Sequence, residues 1–264
     1  MKNLILIKLG GSVITNKKRE FSLREANILR LGKEIKSALK TGKCKVIIGH
    51  GAGSFAHVPA HKYKTKEGII NKNSLYGMSV TEDAARKLNS IVIKNFLSLG
   101  LPAFSFSPAS FLISDGLRYS KSYLDPIKTA LHIGVIPVVY GDVVLDKVRG
   151  CTIFSTEKIL SILARELMRE YKIRIIYATD TNGVYDQNGR TIKIINSGNF
   201  GSVKKSIQDS GTTDVTGGML HKVGESLILA KKFGIKTTIV NGSKVGELKK
   251  AILGQRPNST EIAG

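Results

Sequence analysis

The chain alternates short, mostly apolar runs with longer stretches in which apolar residues recur every three or four positions. The first pattern predicts strands buried on both faces, the second helices with one buried stripe. Strands are expected at Leu4–Leu9, Lys45–Ile48, Ala103–Phe106, Ile136–Tyr140, Ile173–Thr179 and Lys236–Val240. Ser22-Leu23-Arg24-Glu25 and Ser79-Val80-Thr81-Glu82 each fit a capping box, which predicts helix starts at Ser22 and Ser79. The second of these helices carries Ala84, Leu88, Ile91, Val92 and Leu99 at helical spacing. A third helix is expected over Thr156–Tyr171, and a fourth from near Gly217, with Met219, Val223, Leu227 and Ala230 on one face. Val143–Phe154 reads as a hairpin turning at Asp146 to Gly150, and Asp186-Gln187-Asn188-Gly189 as a further turn. No repeat or low-complexity linker interrupts this order. It predicts an α/β fold, an open and mainly parallel central sheet sandwiched by helices. A length of 264 residues suits one large domain or two tightly joined lobes, with the seam expected at Arg149–Gly150, between 1–149 and 150–264.

Each expected strand ends in a small, polar or glycine-rich group. The first run breaks at Lys8 and continues Leu9-Gly10-Gly11-Ser12, with Lys17 shortly after. A lysine at the end of a buried strand needs an anion to answer it. Paired glycines let backbone N–H groups approach that anion closely. The second strand leads into Gly49-His50-Gly51-Ala52-Gly53-Ser54-Phe55-Ala56-His57, the fourth into Gly141-Asp142, the fifth into Asp180-Thr181-Asn182-Gly183 and the last into Asn241-Gly242. Open α/β sheets bind ligands at the carboxyl ends of their strands. Thr213-Asp214-Val215-Thr216-Gly217-Gly218-Met219-Leu220-His221-Lys222 is the other strong signal. There Asp214 or Thr216 can cap the following helix, the paired glycines suit a phosphate, and Lys222 can reach back to it. No G-x-x-x-x-G-K-[ST] motif occurs, which excludes a P-loop kinase. Gly51 to Ala56 fits a loose dinucleotide fingerprint, but His57-Val58-Pro59-Ala60-His61 stands where a clean helix should run.

Composition narrows the function classes. The net charge is +21, from 41 basic and 20 acidic residues, yet the lysines are spread along the whole chain. Aromatics make up 6% and Trp is absent, so no base-stacking surface accompanies the charge. The charge reads as a solvated surface that attracts anionic substrates, not as a nucleic-acid interface. Two cysteines, Cys44 and Cys151, lie far apart without metal-type spacing, which fits a reducing compartment. No apolar stretch approaches the roughly 20 residues of a membrane helix. A soluble, cytoplasmic protein with no membrane partner is expected.

Lys8-Leu9-Gly10-Gly11-Ser12, Ala178-Thr179-Asp180-Thr181-Asn182-Gly183-Val184-Tyr185 and Asp214-Val215-Thr216-Gly217-Gly218-Met219 together resemble three hallmarks of the amino acid kinase family, in the right order. The glycine loop closing on His57 and the ending Gly254 to Ile262 resemble the branch of that family whose acceptor is isopentenyl phosphate. The resemblance implies transfer of the γ-phosphoryl of ATP, with Mg2+ carried by the nucleotide phosphates, to that acceptor, and a homodimer. It implies an acceptor lobe over 1–149 and a nucleotide lobe over 150–264. Lys8 would bridge the transferring phosphoryl, Lys17 would hold the γ-phosphate, and Lys222 would neutralise the leaving ADP. Gly10, Gly11, Gly51, Ala52, Gly53, His57, Gly141 and Asp142 would receive the acceptor, with His57 on its phosphate. Lys8, Gly10, Ser12, Thr179, Asp180, Gly183, Asp214, Gly217, Gly218 and Lys222 would receive the nucleotide. No residue is expected to ligate metal by itself. Many members place an aspartate between the two catalytic lysines; this chain has Ser155-Thr156-Glu157 there, so Glu157 is expected to organise them with a side chain one methylene longer. The segment from Ile69 to Val80, with Tyr76, Met78 and Val80, is expected to wall the isoprenoid tail. Another small phosphate or phosphonate acceptor, such as fosfomycin or uridylate, and a non-catalytic ligand-binding regulator are the alternatives.

Overall fold

A computed structural model describes residues 1–16, 19–209 and 218–264. In chain order the elements are Lys2–Leu9 (β1), Gly11–Ile14 (α1), Glu25–Leu39 (α2), Cys44–His50 (β2), Gly53–Lys62 (α3), Ser74–Ser98 (α4), Ala103–Ser105 (β3), Leu112–Asp115 (β4), Arg118–Ser122 (β5), Asp125–Ile133 (α5), Ile136–Tyr140 (β6), Asp142–Asp146 (β7), Gly150–Phe154 (β8), Thr156–Leu167 (α6), Tyr171–Thr179 (β9), Ile194–Ile195 (β10), Phe200–Asp209 (α7), Gly218–Phe233 (α8), Lys236–Asn241 (β11), Glu247–Ile252 (α9) and Ser259–Ile262 (β12). Eight strands form one sheet in the order β10-β12-β11-β9-β1-β2-β6-β3. Its pairs are parallel except β11 with β12. A smaller sheet, β5-β4-β7-β8, includes the expected hairpin. The expected seam at Arg149–Gly150 falls at that hairpin's turn.

The alternation along β1 decides which layer each side chain enters. Leu4 and Leu6 join a core beneath α5, α6, α7 and α8, whereas Ile5, Ile7 and Leu9 join a core beneath α1, α2, α4 and α9. Each fully buried aliphatic side chain contributes about 1.5–3 kcal/mol, so slipping β1 by one residue would forfeit both layers. The same parity sends Lys8 to the α6–α8 side. Because β1, β2, β6, β9 and β11 run parallel, the groups that follow them gather along one edge of the sheet.

Several expectations need correction. Ser22 does not start a helix: α2 begins at Glu25, with Arg24 at its cap. Thr15 bridges to Leu23 and the Asn16 amide donates to the Ser22 carbonyl at 2.9 Å, which keeps that segment extended. Ser79 lies inside α4, which starts at Ser74, where the Ser74 hydroxyl accepts from the amides of Ile70 and Asn71 at 3.1 Å each. The third helix ends at Leu167, and Tyr171 opens β9 by pairing with Lys2. Pro59 does not prevent a helix after the second glycine loop. It sits buried inside α3, where a proline removes a single backbone donor and a short, packed helix tolerates that.

Candidate active site

Two glycine turns meet at the middle of the sheet edge. The Gly10 amide donates to the Ala178 carbonyl at 2.8 Å, tying the first turn to β9. A Cβ on Gly11 would stand 3.0 Å from the Gly53 Cα, and one on Gly51 would stand 3.2 Å from the Gly11 nitrogen. Backbone therefore packs on backbone, leaving room only for glycine. Gly53 also has φ of +53°, and a side chain there would collide with Thr15. The Thr15 hydroxyl laces the turns together, donating to Gly11 at 2.7 Å and accepting from the Ser54 amide at 3.1 Å. Ser12 lies in the short helix that follows, and Ala52 precedes α3.

Lys8 lies between Gly49 of β2 and Tyr177 of β9 and is 8% exposed. Its ammonium forms a buried ion pair with Glu157, in the first turn of α6. Lys222, in the second turn of α8, places its ammonium 3.6 Å from the same carboxylate oxygen and donates to the Gly218 carbonyl at 2.9 Å. Burial alone would push the Glu157 carboxyl up; the ammoniums of Lys8 and Lys222 outweigh it and hold the group down at about 2. The structure thus brings together Lys8, Glu157 and Lys222, three residues almost 150 or more than 60 positions apart in sequence. It does so because α6 and α8 cover the face to which Lys8 points.

Thr179 closes β9, and Asp180 and Gly183 lie in the turn that follows. The Thr181 hydroxyl donates to Gly183 at 2.8 Å, and Gly183, at φ of +139°, passes close to Thr260 of β12. The Val184 amide donates to the Thr260 hydroxyl at 2.8 Å, and Asn241 donates to Asn182 at 3.1 Å. The sequence marks Asn241-Gly242 as a strand end and Thr260 as part of the closing segment, but not their support of this turn. Thr156 is a further supporting residue: its hydroxyl donates to the His50 carbonyl at 2.7 Å and lies against Gly141. His50 is wholly buried, 3.1 Å from Asn89 Oδ1 and stacked on Tyr140, so it serves the scaffold. His57 is exposed on α3. Lys17, Asp214 and Gly217 lie outside the described residues.

Tyr76 is 67% exposed and meets the ring of Tyr63 edge-on, while Met78 and Val80 are half-buried on α4. A cavity of about 360 Å³ opens beyond the ends of β3 and β6, lined in part by Arg86, Phe106, Phe111, Tyr123 and Tyr140. Tyr76, Met78 and Val80 do not line it.

Asp142 is 2% exposed, and its Oδ2 makes no hydrogen bond. Burial pushes its carboxyl up to about 8; the Val143 amide opposes the shift and Glu82 adds to it. A raised acid favours folding in its protonated form, fully below the unfolded value of about 4, and that benefit fades as pH rises through about 8. Asp142→Asn removes the ionisation. Its melting temperature should therefore gain on that of the parent from pH 4 to about 8 and keep a constant lead above that. Parallel melting profiles across the range would show that Asp142 ionises as freely as an exposed aspartate.

The family model for the amino acid kinase family matches residues 3–241. The chain belongs to the amino acid kinase family. Within that family it is 36% identical to an isopentenyl phosphate kinase from Methanothermobacter thermautotrophicus, over 99% of both chains. It is 35% identical to an isopentenyl phosphate kinase from Methanocaldococcus jannaschii, over 98% of both. An X-ray structure of isopentenyl phosphate kinase superposes with a TM-score of 0.84 at 32% identity, covering 99% of this chain and all of that one. The open α/β sheet flanked by helices is the fold of these relatives.

Proposed function

We propose that this protein transfers the γ-phosphoryl of ATP to isopentenyl phosphate, giving isopentenyl diphosphate. The observation that carries the reading is one ionised carboxylate, Glu157, held between Lys8 and Lys222 at the mouth of two glycine turns. Phosphoryl transfer asks for alignment and charge neutralisation more than for covalent help. Donor and acceptor are both anions, and each pair of like unit charges about 4 Å apart costs roughly 4 kcal/mol at an effective dielectric near 20. Lys8 bridges the transferring group, Lys222 meets the leaving ADP, and Glu157 fixes the angle between them. Lys17 takes the γ-phosphate. Gly10, Gly11, Gly51 and Gly53 offer backbone donors, and the turn from Thr179 to Gly183, with Gly218, receives the nucleotide. Gly141 and Asp142 border the acceptor. The similarity to isopentenyl phosphate kinases over the full chain favours that acceptor above fosfomycin or uridylate.

The cationic site fits a polyphosphate. Among the described residues no group of three or more His, Cys, Asp or Glu could hold a metal ion. In this reading Mg2+ would enter on the nucleotide phosphates and supply neutralisation of the β and γ oxygens. In the sheet, β1, β2, β6 and β3 stand to one side and β9, β11, β12 and β10 to the other. This supports an acceptor lobe over 1–149 and a nucleotide lobe over 150–264. Among the described residues no helix is long and apolar enough to cross a membrane. A cytoplasmic homodimer belongs to the same reading, and light scattering on the purified protein tests the dimer.

The deciding assay is ADP release from Mg-ATP with isopentenyl phosphate, run beside uridylate, fosfomycin, glutamate, acetylglutamate and carbamate. Turnover with isopentenyl phosphate alone is expected; preferential turnover with another acceptor refutes the assignment. In this reading His57 holds the acceptor's phosphate, and its exposure on the helix that begins at the second glycine turn supports that role. His57→Ala should raise the KM for isopentenyl phosphate by about tenfold or more, the worth of one charge-assisted hydrogen bond, with ATP affinity nearly unchanged. Equal damage to both substrates would place His57 in the scaffold.

A further inference from the structure

Three buried hydroxyls lie directly behind the three charges of the site. Ser161 follows Glu157 by one helical turn on α6, and Ser226 follows Lys222 by one turn on α8. Positions four apart share a helix face. Tyr177 is the register neighbour of Lys8 across β1 and β9, so the two side chains leave the same face of the sheet. Tyr177 and Ser226 are wholly buried and Ser161 is 5% exposed. Around them the layer is apolar, with Leu160, Leu163, Val223 and Leu227 in the same core. None of the three hydroxyl oxygens completes a hydrogen bond. Burial raises the phenol of Tyr177 first, then the Glu157 carboxylate, while the facing hydroxyls of Ser226 and Ser161 oppose the rise. The phenol therefore stays protonated, a donor on the side of Glu157.

Phenylalanine and alanine would fill this layer without the cost of unmade hydrogen bonds. What the hydroxyls add is a donor set that the charged trio lacks. Glu157 is stable as a buried carboxylate while both ammoniums face it. When Lys8 and Lys222 share their protons with incoming phosphates, that carboxylate loses part of its compensation and needs another donor.

Resting on the proposed kinase reading, we propose that Tyr177 is a positioning residue of the phosphoryl-transfer site: its hydroxyl, backed by Ser161 and Ser226, is the reserve donor that holds Glu157 in place while Lys8 and Lys222 engage the phosphates. Tyr177 touches no substrate in this account and acts through Glu157.

The test is a double-mutant cycle on the full chain. Tyr177→Phe should lower kcat about tenfold, the scale of a small misplacement of a catalytic group, with the KM for ATP within about twofold of the parent. Its melting temperature should change little, since the buried hydroxyl it removes has only the poorly aligned hydroxyls of Ser226 and Ser161 facing it. In a Glu157→Gln background the same substitution should change kcat by less than about twofold, because the group it acts through is no longer a carboxylate. A parent-like kcat for Tyr177→Phe, or a full tenfold cost persisting in the Glu157→Gln background, overturns the proposal. Ser226→Ala keeps the test open if Tyr177→Phe fails to fold, with the same loss of effect expected in the Glu157→Gln background. Urea unfolding of the same four proteins in saturating Mg-ATP, whose phosphates draw on the two lysines, reads the coupling without turnover. If the parent does not phosphorylate isopentenyl phosphate, the acceptor assignment fails by itself. Unequal midpoint shifts for Tyr177→Phe in the two backgrounds then still support the pairing with Glu157, and equal shifts refute it.

Discussion

Lys8→Ala is expected to lower kcat at least about a hundredfold, the usual cost of one preorganised electrostatic donor. The argument starts from parity along β1. Residues 4, 6 and 8 face the α6–α8 layer, and at the third of these positions the run of leucines gives way to an ammonium. Lys8 is almost wholly buried, so its charge acts in a medium far less screening than water. The glycine turn that follows brings backbone donors to the same place, and the other lysine of β1, Lys2, is exposed at the strand's far end. Lys222 approaches Glu157 from α8, a different direction, and so does not replace the lost charge. Removing Lys8 also leaves Glu157 with one ammonium partner instead of two. Breaking a buried ion pair from one side costs about 3–5 kcal/mol, so stability should fall as well. Lys8→Met keeps the length of the stem and the packing against β2 and β9. ADP release from both variants, measured well below their melting temperatures, separates the two effects. A Lys8→Met rate close to that of the parent would remove Lys8 from the chemistry.

The central strands were legible because burial on both faces leaves short, nearly continuous apolar runs bounded by turn residues, as from Ile136 to Tyr140 and, with Lys8 as its one charge, from Leu4 to Leu9. The glycine-rich groups at their ends were legible for a related reason: a tight turn at a crowded sheet edge tolerates few other residues. Helix starts were misread where a local motif competed with a distant partner. Ser22-x-x-Glu25 has the residues of a capping box, yet the bridge from Thr15 to Leu23 and the contact with Ser54 claim that segment for the glycine loops. Strands β4, β5, β10 and β12 are short and half exposed, so they leave no run to detect. Thr260 of β12 was legible only as part of the closing segment, and its hydroxyl's support of the turn at Gly183 was not. Lys8 and Lys222 stood out as charges in an apolar or glycine-rich setting, and Glu157 through the resemblance, where many members of the family carry an aspartate. Tyr177, Ser161 and Ser226 did not, because a hydroxyl within an amphipathic stripe looks like any other core position until the facing elements are known.

Glu157→Gln should be as damaging as the loss of a lysine, with kcat reduced about a hundredfold or more. Glutamine keeps the size and the acceptor oxygen but not the charge. Lys8 and Lys222 then face one another, with only dipoles between them, in a site 6% exposed at Glu157. Two ammoniums about 4 Å apart repel by roughly 4 kcal/mol at an effective dielectric of 20, so they should splay and lose the angle at which they flank a transferring phosphoryl. The carboxylate is held down at about 2, with burial opposed by both lysines, so it stays ionised at any pH at which the enzyme would be assayed. The stability it brings is present above the unfolded value of about 4 and is lost as pH falls through about 2; Glu157→Gln should therefore close the stability gap to the parent only in strong acid. Glu157→Asp shortens the side chain by one methylene while keeping the charge. It should recover activity to within about tenfold of the parent, because electrostatic compensation returns while the contact with Lys8 lengthens. The ordering parent, aspartate, glutamine in kcat identifies charge as the essential property. Equal rates for the glutamine and parent proteins would reduce Glu157 to a residue favoured by the positive end of α6, where an acidic side chain is worth about 0.3–1 kcal/mol and organises nothing.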